Sequence, residues 1–213
     1  MTVVAIDGPA GTGKSTVARI LGRRLGLPTL DTGAMYRAVA AAVLRAGVDP
    51  SDHDEVAAVA ARMDLVVEEG KVTVDGIDVT EEIRKGPVNR TVSTVAANPR
   101  VRLLLQQMQR DWVRSHGGGV VEGRDIGTVV LPDADLKVYL DARPEIRARR
   151  RAGETGEERV EVVARELSER DEKDSARSVD PLKPAPDALV IDTSDLSVDE
   201  VVEKILGALG GYG

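Results

Sequence analysis

The chain has 213 residues, which is enough for one compact domain with a sizeable core. Hydrophobic residues make up 42% of it and charged residues 31%, a balance typical of folded proteins and unlike that of disordered chains. Cysteine is absent, which excludes disulfides, thiolate nucleophiles and cysteine-based metal sites. Aromatic residues make up only 2%, which argues against recognition of nucleic acid by ring stacking.

The net charge of −7 is unevenly distributed. Residues 178–213 hold seven acidic and two basic residues, so the rest of the chain is nearly balanced and can carry local basic clusters. No apolar run approaches the roughly 20 residues that span a bilayer, and the first five residues lack the basic region of a signal peptide. We therefore expect a cytoplasmic monomer without membrane or nucleic-acid partners.

Apolar spacing in the first part of the chain indicates short strands followed by helices. From Leu65 the apolar period changes to two, which is typical of a small antiparallel meander. In chain order, the predicted elements are a strand at Thr2–Ile6, a helix from Lys14 to about Leu25, a strand at Thr29–Asp31, a helix from Ala34 to about Ala46, a helix from an N-cap at Ser51 to about Met63, and a meander of Leu65–Glu68, Lys71–Val74 and Ile77–Val79 with turns at Glu69-Gly70 and Asp75-Gly76.

Strands and helices continue to alternate in the remainder of the chain, which closes with a glycine-rich tail. The stretch from Pro144 to Ser178 has a helical pattern and is highly charged, with Glu157 and Glu158 among its acidic residues. The other predicted elements are a helix from Glu81 to about Ala97 with a break at Gly86-Pro87, a helix from Pro99 to about His116, strands at Val120–Glu122, Leu136–Ala142 and Ala188–Asp192, and a helix from Val198 to about Leu209. This alternation predicts an α/β fold, in which helices wrap a mostly parallel sheet of about five strands and the meander is an insertion.

A phosphate-binding motif follows the first predicted strand. Glycines let successive backbone N–H groups converge on phosphate oxygens at a helix N-terminus. Lys14 is expected to reach the β- and γ-phosphates, Ser15 to ligate Mg²⁺ and Thr16 to contact the α-phosphate. The residues that fit the pattern G-x-x-x-x-G-K-[ST] of the P-loop, and so predict an ATP site in a P-loop NTPase-type fold, are Gly8, Pro9, Ala10, Gly11, Thr12, Gly13, Lys14 and Ser15.

The rest of the sequence narrows the class of P-loop protein. Neither an N-K-x-D motif for guanine nor an L-S-G-G-Q-like segment is present, which disfavours a GTPase switch and a transporter ATPase. Arginine supplies 22 of the 29 basic residues, and many of them follow the strand at Leu136–Ala142, which places them at the same sheet edge as the P-loop. They predict an arginine-rich cap that excludes water during phosphoryl transfer; the alternative for Arg151, Arg159 and Arg165 is a solvated, salt-bridged helix face. For residues 170–177, which run toward a proline-rich loop, we expect helix-face pairing to fail.

Several segments, in order along nearly the whole chain, resemble those of the bacterial-type cytidylate (CMP/dCMP) kinases. The resemblance implies a phosphotransferase with a phosphate acceptor, which uses ATP and Mg²⁺ to convert CMP and dCMP to their diphosphates. It also implies a core at about 1–33, 117–145 and 186–213, an NMP-binding region with the meander at about 34–116, and an arginine-rich lid at about 146–180. The segments are Ile6-Asp7-Gly8-Pro9, Asp31-Thr32-Gly33-Ala34-Met35-Tyr36-Arg37, Glu122-Gly123-Arg124-Asp125-Ile126-Gly127-Thr128-Val129-Val130, Glu169-Arg170-Asp171 and Arg177-Ser178-Val179-Asp180-Pro181-Leu182.

The same resemblance implies roles for individual residues in holding CMP. Asp125 and Arg102 suit cytosine, which offers an amine donor and two acceptors, whereas uracil would leave charge unpaired. Arg37 and Arg124 suit the monophosphate, because guanidinium groups bind phosphate in bidentate fashion. The implied CMP-binding residues are Thr32, Tyr36, Arg37, Ser93, Arg102, Arg124, Asp125, Arg170, Asp174 and Arg177, and the implied catalytic residues are Lys14, Arg150, Arg170 and Arg177.

Two kinds of alternative stay open at this stage. The first is another P-loop small-molecule kinase, acting on UMP, AMP or shikimate. The second is a P-loop hydrolase or nucleotide sensor, which would release the γ-phosphate without an acceptor.

Overall fold

The structure is a computed structural model that describes residues 1–68, 70–155 and 159–210. The predicted turn residue Glu69, the acidic residues Glu157 and Glu158, and the end of the glycine-rich tail lie outside this range. The chain divides into two compact units, one formed by Met1–Thr29 with Gly117–Gly213 and the other by Leu30–His116. None of the described helices is long and apolar enough to cross a membrane.

Regular elements follow the predicted order closely. The strands are β1 (Val3–Asp7), β2 (Thr29–Asp31), β3 (Leu65–Glu68), β4 (Lys71–Val74), β5 (Ile77–Asp78), β6 (Gly119–Gly123), β7 (Leu136–Asp141) and β8 (Leu189–Asp192). The α-helices are α1 (Lys14–Leu25), α2 (Thr32–Arg45), α3 (His53–Arg62), α4 (Gly86–Ala97), α5 (Pro99–His116), α6 (Pro144–Thr155), α7 (Val160–Ser175) and α8 (Val198–Gly210).

A five-stranded sheet with the order β2-β6-β1-β7-β8 confirms the predicted α/β class. β1 pairs in parallel with β6 and β7, and β7 pairs in parallel with β8, so that Ile6 lies opposite both Glu122 and Val138. Every residue of β1 is buried, as expected for a central strand covered on both faces. Because parallel strands end at one edge of a sheet, the residues that follow β1, β6 and β7 are brought together there.

The core of the first unit is aliphatic, because the chain has no phenylalanine. Val4 and Ile6 of β1 pack with Leu21 of α1, Val138 of β7 and Ile205 of α8, all of them fully buried or nearly so. A smaller cluster joins α6 to α7 through Ala148, Ala152, Val163 and Leu167, and Ala10 of the glycine-rich loop packs against it. The helices α6 and α7 are thereby fixed beside that loop.

The helical prediction over 144–178 was right in kind but differs in detail. Two helices, α6 and α7, replace the single stretch, and α7 continues to Ser175. Arg170 is therefore still helical, and its Nε lies 4.0 Å from Asp174 at the i,i+4 spacing. The expectation that helix-face pairing would fail over residues 170–177 was wrong. The reason is that α7 extends to Ser175, closer to the proline-rich loop than the sequence indicated.

The second unit combines four helices with the small antiparallel sheet β3-β4-β5 along its described residues. The predicted N-cap of α3 was wrong by one position: Asp52, not Ser51, accepts the N–H groups of Asp54 and Glu55. α2 begins two residues before the predicted Ala34, because the Asp31 carboxylate accepts the Ala34 N–H and caps it. A short 3₁₀ turn at Glu82–Arg84 precedes α4, and the predicted break at Gly86-Pro87 is where α4 starts.

Candidate active site

The glycine-rich loop between β1 and α1 needs its glycines for steric reasons. Gly8 has φ of +145°, and a Cβ there would lie 2.0 Å from the backbone oxygen of Leu140. Gly11 has φ of +80°, and a Cβ there would lie 2.8 Å from the backbone oxygen of Arg147. Gly13 has φ of +92° and forms the N-cap of α1. This backbone therefore turns tightly from the central strand into a helix N-terminus, as a phosphate cradle requires.

Lys14 lies beneath this loop with only 7% of its surface exposed. Its Nζ donates to the Pro9 oxygen at 2.8 Å, and the Thr12 hydroxyl donates to the same oxygen at 3.1 Å. Burial and, next, the Arg124 guanidinium lower the pKa of Lys14 to about 7, against the smaller opposing effect of Glu122. The ammonium is therefore held in an electropositive pocket that an anionic ligand would neutralise.

A serine–carboxylate pair lies next to the lysine. Ser15 in the first turn of α1 donates its hydroxyl to Glu122 Oε1 at 2.5 Å, and Glu122 at the end of β6 is 5% exposed. Hydroxyl and carboxylate oxygens are the hard ligands that Mg²⁺ prefers. These oxygen donors fit the Mg²⁺ ligand role that the sequence predicts for Ser15.

Three arginines surround one buried carboxylate. Asp174, 4% exposed, accepts from Arg124 Nε at 2.9 Å and lies 3.4 Å from Arg177 Nη2 and 4.0 Å from Arg170 Nε. Burial alone would raise the pKa of Asp174, but Arg124, Arg170 and Arg177 outweigh it and hold that pKa below its ordinary value. Arg124 also donates from Nη1 to the Gly8 oxygen at 2.7 Å. One carboxylate shared by three guanidinium groups leaves this cluster of four side chains with an excess of positive charge.

Helices α6 and α7 contact the phosphate loop directly. Arg147 of α6 donates to the Ala10 oxygen at 3.2 Å and pairs with Asp171 of α7, and Asp171 accepts the Ala10 N–H at 3.4 Å. Arg150, for which the resemblance implies a catalytic role, donates to the Thr193 hydroxyl at 2.9 Å and to the Thr193 backbone oxygen at 2.7 Å. Thr193 in turn contacts the Thr12 oxygen at 3.2 Å, so Arg150 reaches the loop through Thr193.

Asp125 lies at the start of a one-turn π-helix, Ile126–Val130, that the sequence did not predict. Asp125 is 4% exposed, and its backbone oxygen accepts the N–H groups of Val129 and Val130 at 2.9 and 3.2 Å. The turn begins just beyond β6, so it carries Asp125 away from the sheet immediately after Arg124. Single π-turns occur frequently at functional sites.

The remaining predicted ligands lie in the second unit. Arg37 Nη2 donates to Asp31 Oδ2 at 2.9 Å, and the buried Arg102 guanidinium lies 5.7 Å from the centre of the Tyr36 ring, within cation–π range. Thr32 is buried in the first turn of α2, and Ser93 is half-buried on α4. This unit therefore brings Tyr36 and Arg102 together and keeps Arg37 on its own carboxylate.

Sequence reasoning missed three polar residues at these sites. Glu122 has no predicted role of its own, although a carboxylate near the end of a buried strand is a usable signal. Asp171 on α7, which contacts the phosphate loop, stands in the resemblance segment Glu169-Arg170-Asp171 but has no predicted role of its own. Gln109 is 1% exposed, and neither polar atom of its amide finds a partner among the described residues; its spacing from Arg102 on α5, two helical turns, could have marked a polar face.

The family model for cytidylate kinase matches residues 4–210. The chain belongs to the cytidylate kinase family. Relatives of this family align over nearly their whole length: a cytidylate kinase of Mycobacterium avium (strain 104) is 50% identical over 213 residues, covering 95% of this chain and 92% of the relative. A cytidylate kinase of Desulfitobacterium hafniense (strain Y51) is 47% identical over 210 residues, covering 95% and 90%.

A solved structure supports the fold of this cytidylate kinase family member independently. Shikimate kinase from Acinetobacter baumannii, solved with shikimate, matches with a TM-score of 0.51 over 99% of this chain and 94% of that one. Its sequence is only 16% identical, so the match shows a shared fold and no shared substrate.

We expect nucleotide binding to take up a proton above neutral pH. At pH 8 the Lys14 amine, with a pKa of about 7, is mostly neutral, and the charge of a bound triphosphate favours its protonated form. Calorimetric titration with ATP in two buffers of different ionisation enthalpy measures the uptake. The affinity for ATP should then fall as pH rises above 7. In Lys14→Arg the side chain stays charged, so ATP binding should no longer take up a proton. Equal heats in both buffers at pH 8 would contradict the depressed pKa.

Proposed function

We propose that this protein transfers the γ-phosphoryl group of ATP to the 5′-phosphate of CMP and dCMP, acting as a cytoplasmic monomer. The observation that carries the proposal is the convergence, within one unit, of the phosphate loop with Lys14 and the arginines around Asp174. Two anionic substrates need such an excess of positive charge, and family membership supports cytidylate as the acceptor. In this proposal, residues of about 34–116 bind the monophosphate and residues of about 146–180 form the lid.

The mechanism that follows is positioning and charge neutralisation. A phosphate acceptor is already a nucleophile, so no general base and no covalent intermediate are needed. The loop N–H groups and Lys14 hold the donor phosphates and stabilise charge as it develops on the bridging oxygen. Arg124, Arg170 and Arg177 draw the acceptor and donor phosphates together, and Arg147 closes over the loop. The packing of α6 and α7 against Ala10 keeps water from the γ-phosphate.

Ser15 and Glu122 would hold the divalent metal of this reaction, which we propose to be Mg²⁺. Bound there, the metal would neutralise charge on the donor phosphates. The chain's own contribution is to hold a hydroxyl and a carboxylate next to each other at the end of the loop, with Glu122 fixed by its buried strand.

Replacing Glu122 with glutamine should raise the metal requirement. Glu122→Gln keeps the shape of the side chain and one acceptor for Ser15 but removes the charge, so the Mg²⁺ concentration for half-maximal rate should rise about 10- to 100-fold. Glu200→Gln is the matched control, because Glu200 also accepts from a serine hydroxyl, that of Ser197 at 2.7 Å, on the exposed start of α8. Unchanged Mg²⁺ dependence in Glu122→Gln would remove Glu122 from the metal site.

A coupled assay of ADP formation tests the proposed activity. CMP, dCMP, UMP, AMP and shikimate are offered in turn with ATP, and ATP alone measures hydrolysis. CMP and dCMP should give the highest kcat/KM. Preference for UMP, AMP or shikimate would assign another small-molecule kinase, and acceptor-independent phosphate release as the main activity would assign a hydrolase or sensor.

A further inference from the structure

Asp7 is a buried carboxylate for which the proposed mechanism has no use. It ends β1, directly before the phosphate loop, and is 4% exposed. Its two oxygens each accept one backbone N–H: Oδ1 from Ile126 at 2.8 Å and Oδ2 from Gly127 at 2.7 Å. The contacts therefore tie the last residue of the central strand to the first two residues of the π-helix that follows Asp125.

These two hydrogen bonds hold in place the backbone that directly follows Asp125. The Asp125 backbone, at φ −143° and ψ 25°, lies between the strand β6 and the π-helix and belongs to neither. On its C-terminal side the peptide groups of Ile126 and Gly127 are held by Asp7, and the Asp125 oxygen is held by Val129 and Val130. These bonds tie the backbone that follows Asp125 to the last residue of β1.

A charged residue at this position is costly, which argues that the geometry needs it. Burial, the largest effect, raises the pKa of Asp7 to about 6, even though both N–H groups act to lower it. Asparagine has the same shape and avoids the cost of burying a charge, but its amide has only one oxygen, and its NH₂ group would face one of the two N–H donors. A carboxylate offers each of the two N–H groups its own charged oxygen, as observed here.

We propose that Asp7 is a positioning residue for base selection: by holding the N–H groups of Ile126 and Gly127, it aims the Asp125 carboxylate at the exocyclic amine of the pyrimidine. The inference rests on the proposed function, in which Asp125 distinguishes cytosine from uracil. Asp7 itself touches neither substrate in this proposal, and its effect passes through the backbone of 125–127.

The test is the ratio of kcat/KM for CMP to kcat/KM for UMP in Asp7→Asn. This ratio is independent of the fraction of folded enzyme, so a loss of stability alone does not change it. Loss of one charge-assisted hydrogen bond should reduce the ratio about tenfold, mainly through KM for CMP, with KM for ATP near that of the wild type. Asp135→Asn is the matched control: Asp135 also accepts a backbone N–H of β1, that of Val3 at 2.7 Å, at the opposite end of the strand. In Asp135→Asn the ratio of kcat/KM for CMP to kcat/KM for UMP should not change.

A double variant shows whether Asp7 acts through Asp125. In an Asp125→Ala background, adding Asp7→Asn should change the ratio no further, because the side chain that it positions is gone. An unchanged ratio in Asp7→Asn, or a full further loss in the double variant, would overturn the inference. If the wild-type enzyme itself does not prefer CMP to UMP, the proposed function fails first, which is a separate outcome.

A smaller neutral variant covers the case in which Asp7→Asn does not fold. Asp7→Ser avoids opposing the N–H donors with an NH₂ group and leaves room for a water molecule, and it should lower the ratio in the same direction. Failure of both variants to fold would count against the inference, because Asp7 would then be a residue that the whole sheet needs.

Discussion

Replacing Lys14 with alanine is expected to abolish phosphoryl transfer while the fold is kept. The Nζ of Lys14 is buried, bonded to the Pro9 oxygen at 2.8 Å, and no other lysine lies in the phosphate loop. In the proposed mechanism, alanine removes the lysine charge that follows the γ-phosphoryl group through the transition state. Loss of such a fixed electrostatic contact should lower kcat by about 10³-fold or more, measured by single-turnover transfer to CMP.

The stability of Lys14→Ala separates a catalytic loss from an unfolded protein. The pKa of Lys14 is about 7 in the folded state and 10.5 as an isolated group, so the unfolded chain binds more protons between these values. Stability of the wild type therefore rises with pH across this window, and the full cost of the buried charge applies below pH 7. The alanine variant should lose this dependence and be at least as stable at pH 6, as chemical denaturation at several pH values would measure.

Lys204→Ala is a suitable control for this prediction, because Lys204 is an exposed lysine on α8 in the same unit. Its activity and its stability profile should match those of the wild type. Transfer in Lys14→Ala within tenfold of the wild type would remove Lys14 from the mechanism.

The phosphate loop was predictable because its constraints are local. The positive φ angles of Gly11 and Gly13 disfavour a side chain, and a Cβ on Gly8 would collide with the Leu140 oxygen. The glycines therefore stand in the sequence at fixed offsets from the lysine. The parallel sheet was also predictable, because short apolar runs typical of strands alternate along the chain with segments of helical spacing. Where a capping side chain such as Asp52 sets the start of a helix, the observed boundary differs from the predicted one by one or two residues.

Contacts between distant segments were not predictable in the same way. Glu122 meets Ser15 only because β6 lies next to β1 in the sheet, and the sequence does not state the order of strands. The arginines of α6 differ only in helical phase: Arg147 reaches the phosphate loop directly and Arg150 reaches Thr193. A charge pattern that names several arginines cannot choose among them until the helix is docked, because neighbouring positions on a helix point 100° apart.

The cluster of arginines around Asp174 also depends on contacts between distant segments of the chain. Composition indicates an arginine-rich cap, but one carboxylate shared by Arg124, Arg170 and Arg177 depends on β6 and α7 meeting at the loop. In the proposed function, Asp174 holds the three guanidinium groups in place before substrate binds, which lowers the entropy cost of phosphate binding. Preorganised charge of this kind suits a phosphoryl transfer that needs no covalent enzyme intermediate.

Replacing Asp125 is expected to change which pyrimidine the enzyme accepts. The Asp125 carboxylate is 4% exposed and can only accept hydrogen bonds, which matches the amine of cytosine and opposes the carbonyl oxygen of uracil. In Asp125→Ala the amine loses its partner and the repulsion of uracil disappears, so KM for CMP should rise and the CMP-to-UMP ratio of kcat/KM should fall by about 10²-fold or more. Steady-state assays with both nucleotides at saturating ATP measure the two effects separately.

Asp125→Asn gives a sharper form of the same prediction, because its amide can donate as well as accept. Its NH₂ group can pair with the carbonyl oxygen of uracil, so UMP turnover should rise above that of Asp125→Ala while CMP turnover stays below the wild type. Asp133→Ala, in the exposed turn before β7, is the control and should leave the ratio unchanged. An unaltered CMP-to-UMP ratio in both Asp125 variants would refute base selection by this carboxylate and would leave the discrimination to Arg102 and Ser93 in the second unit.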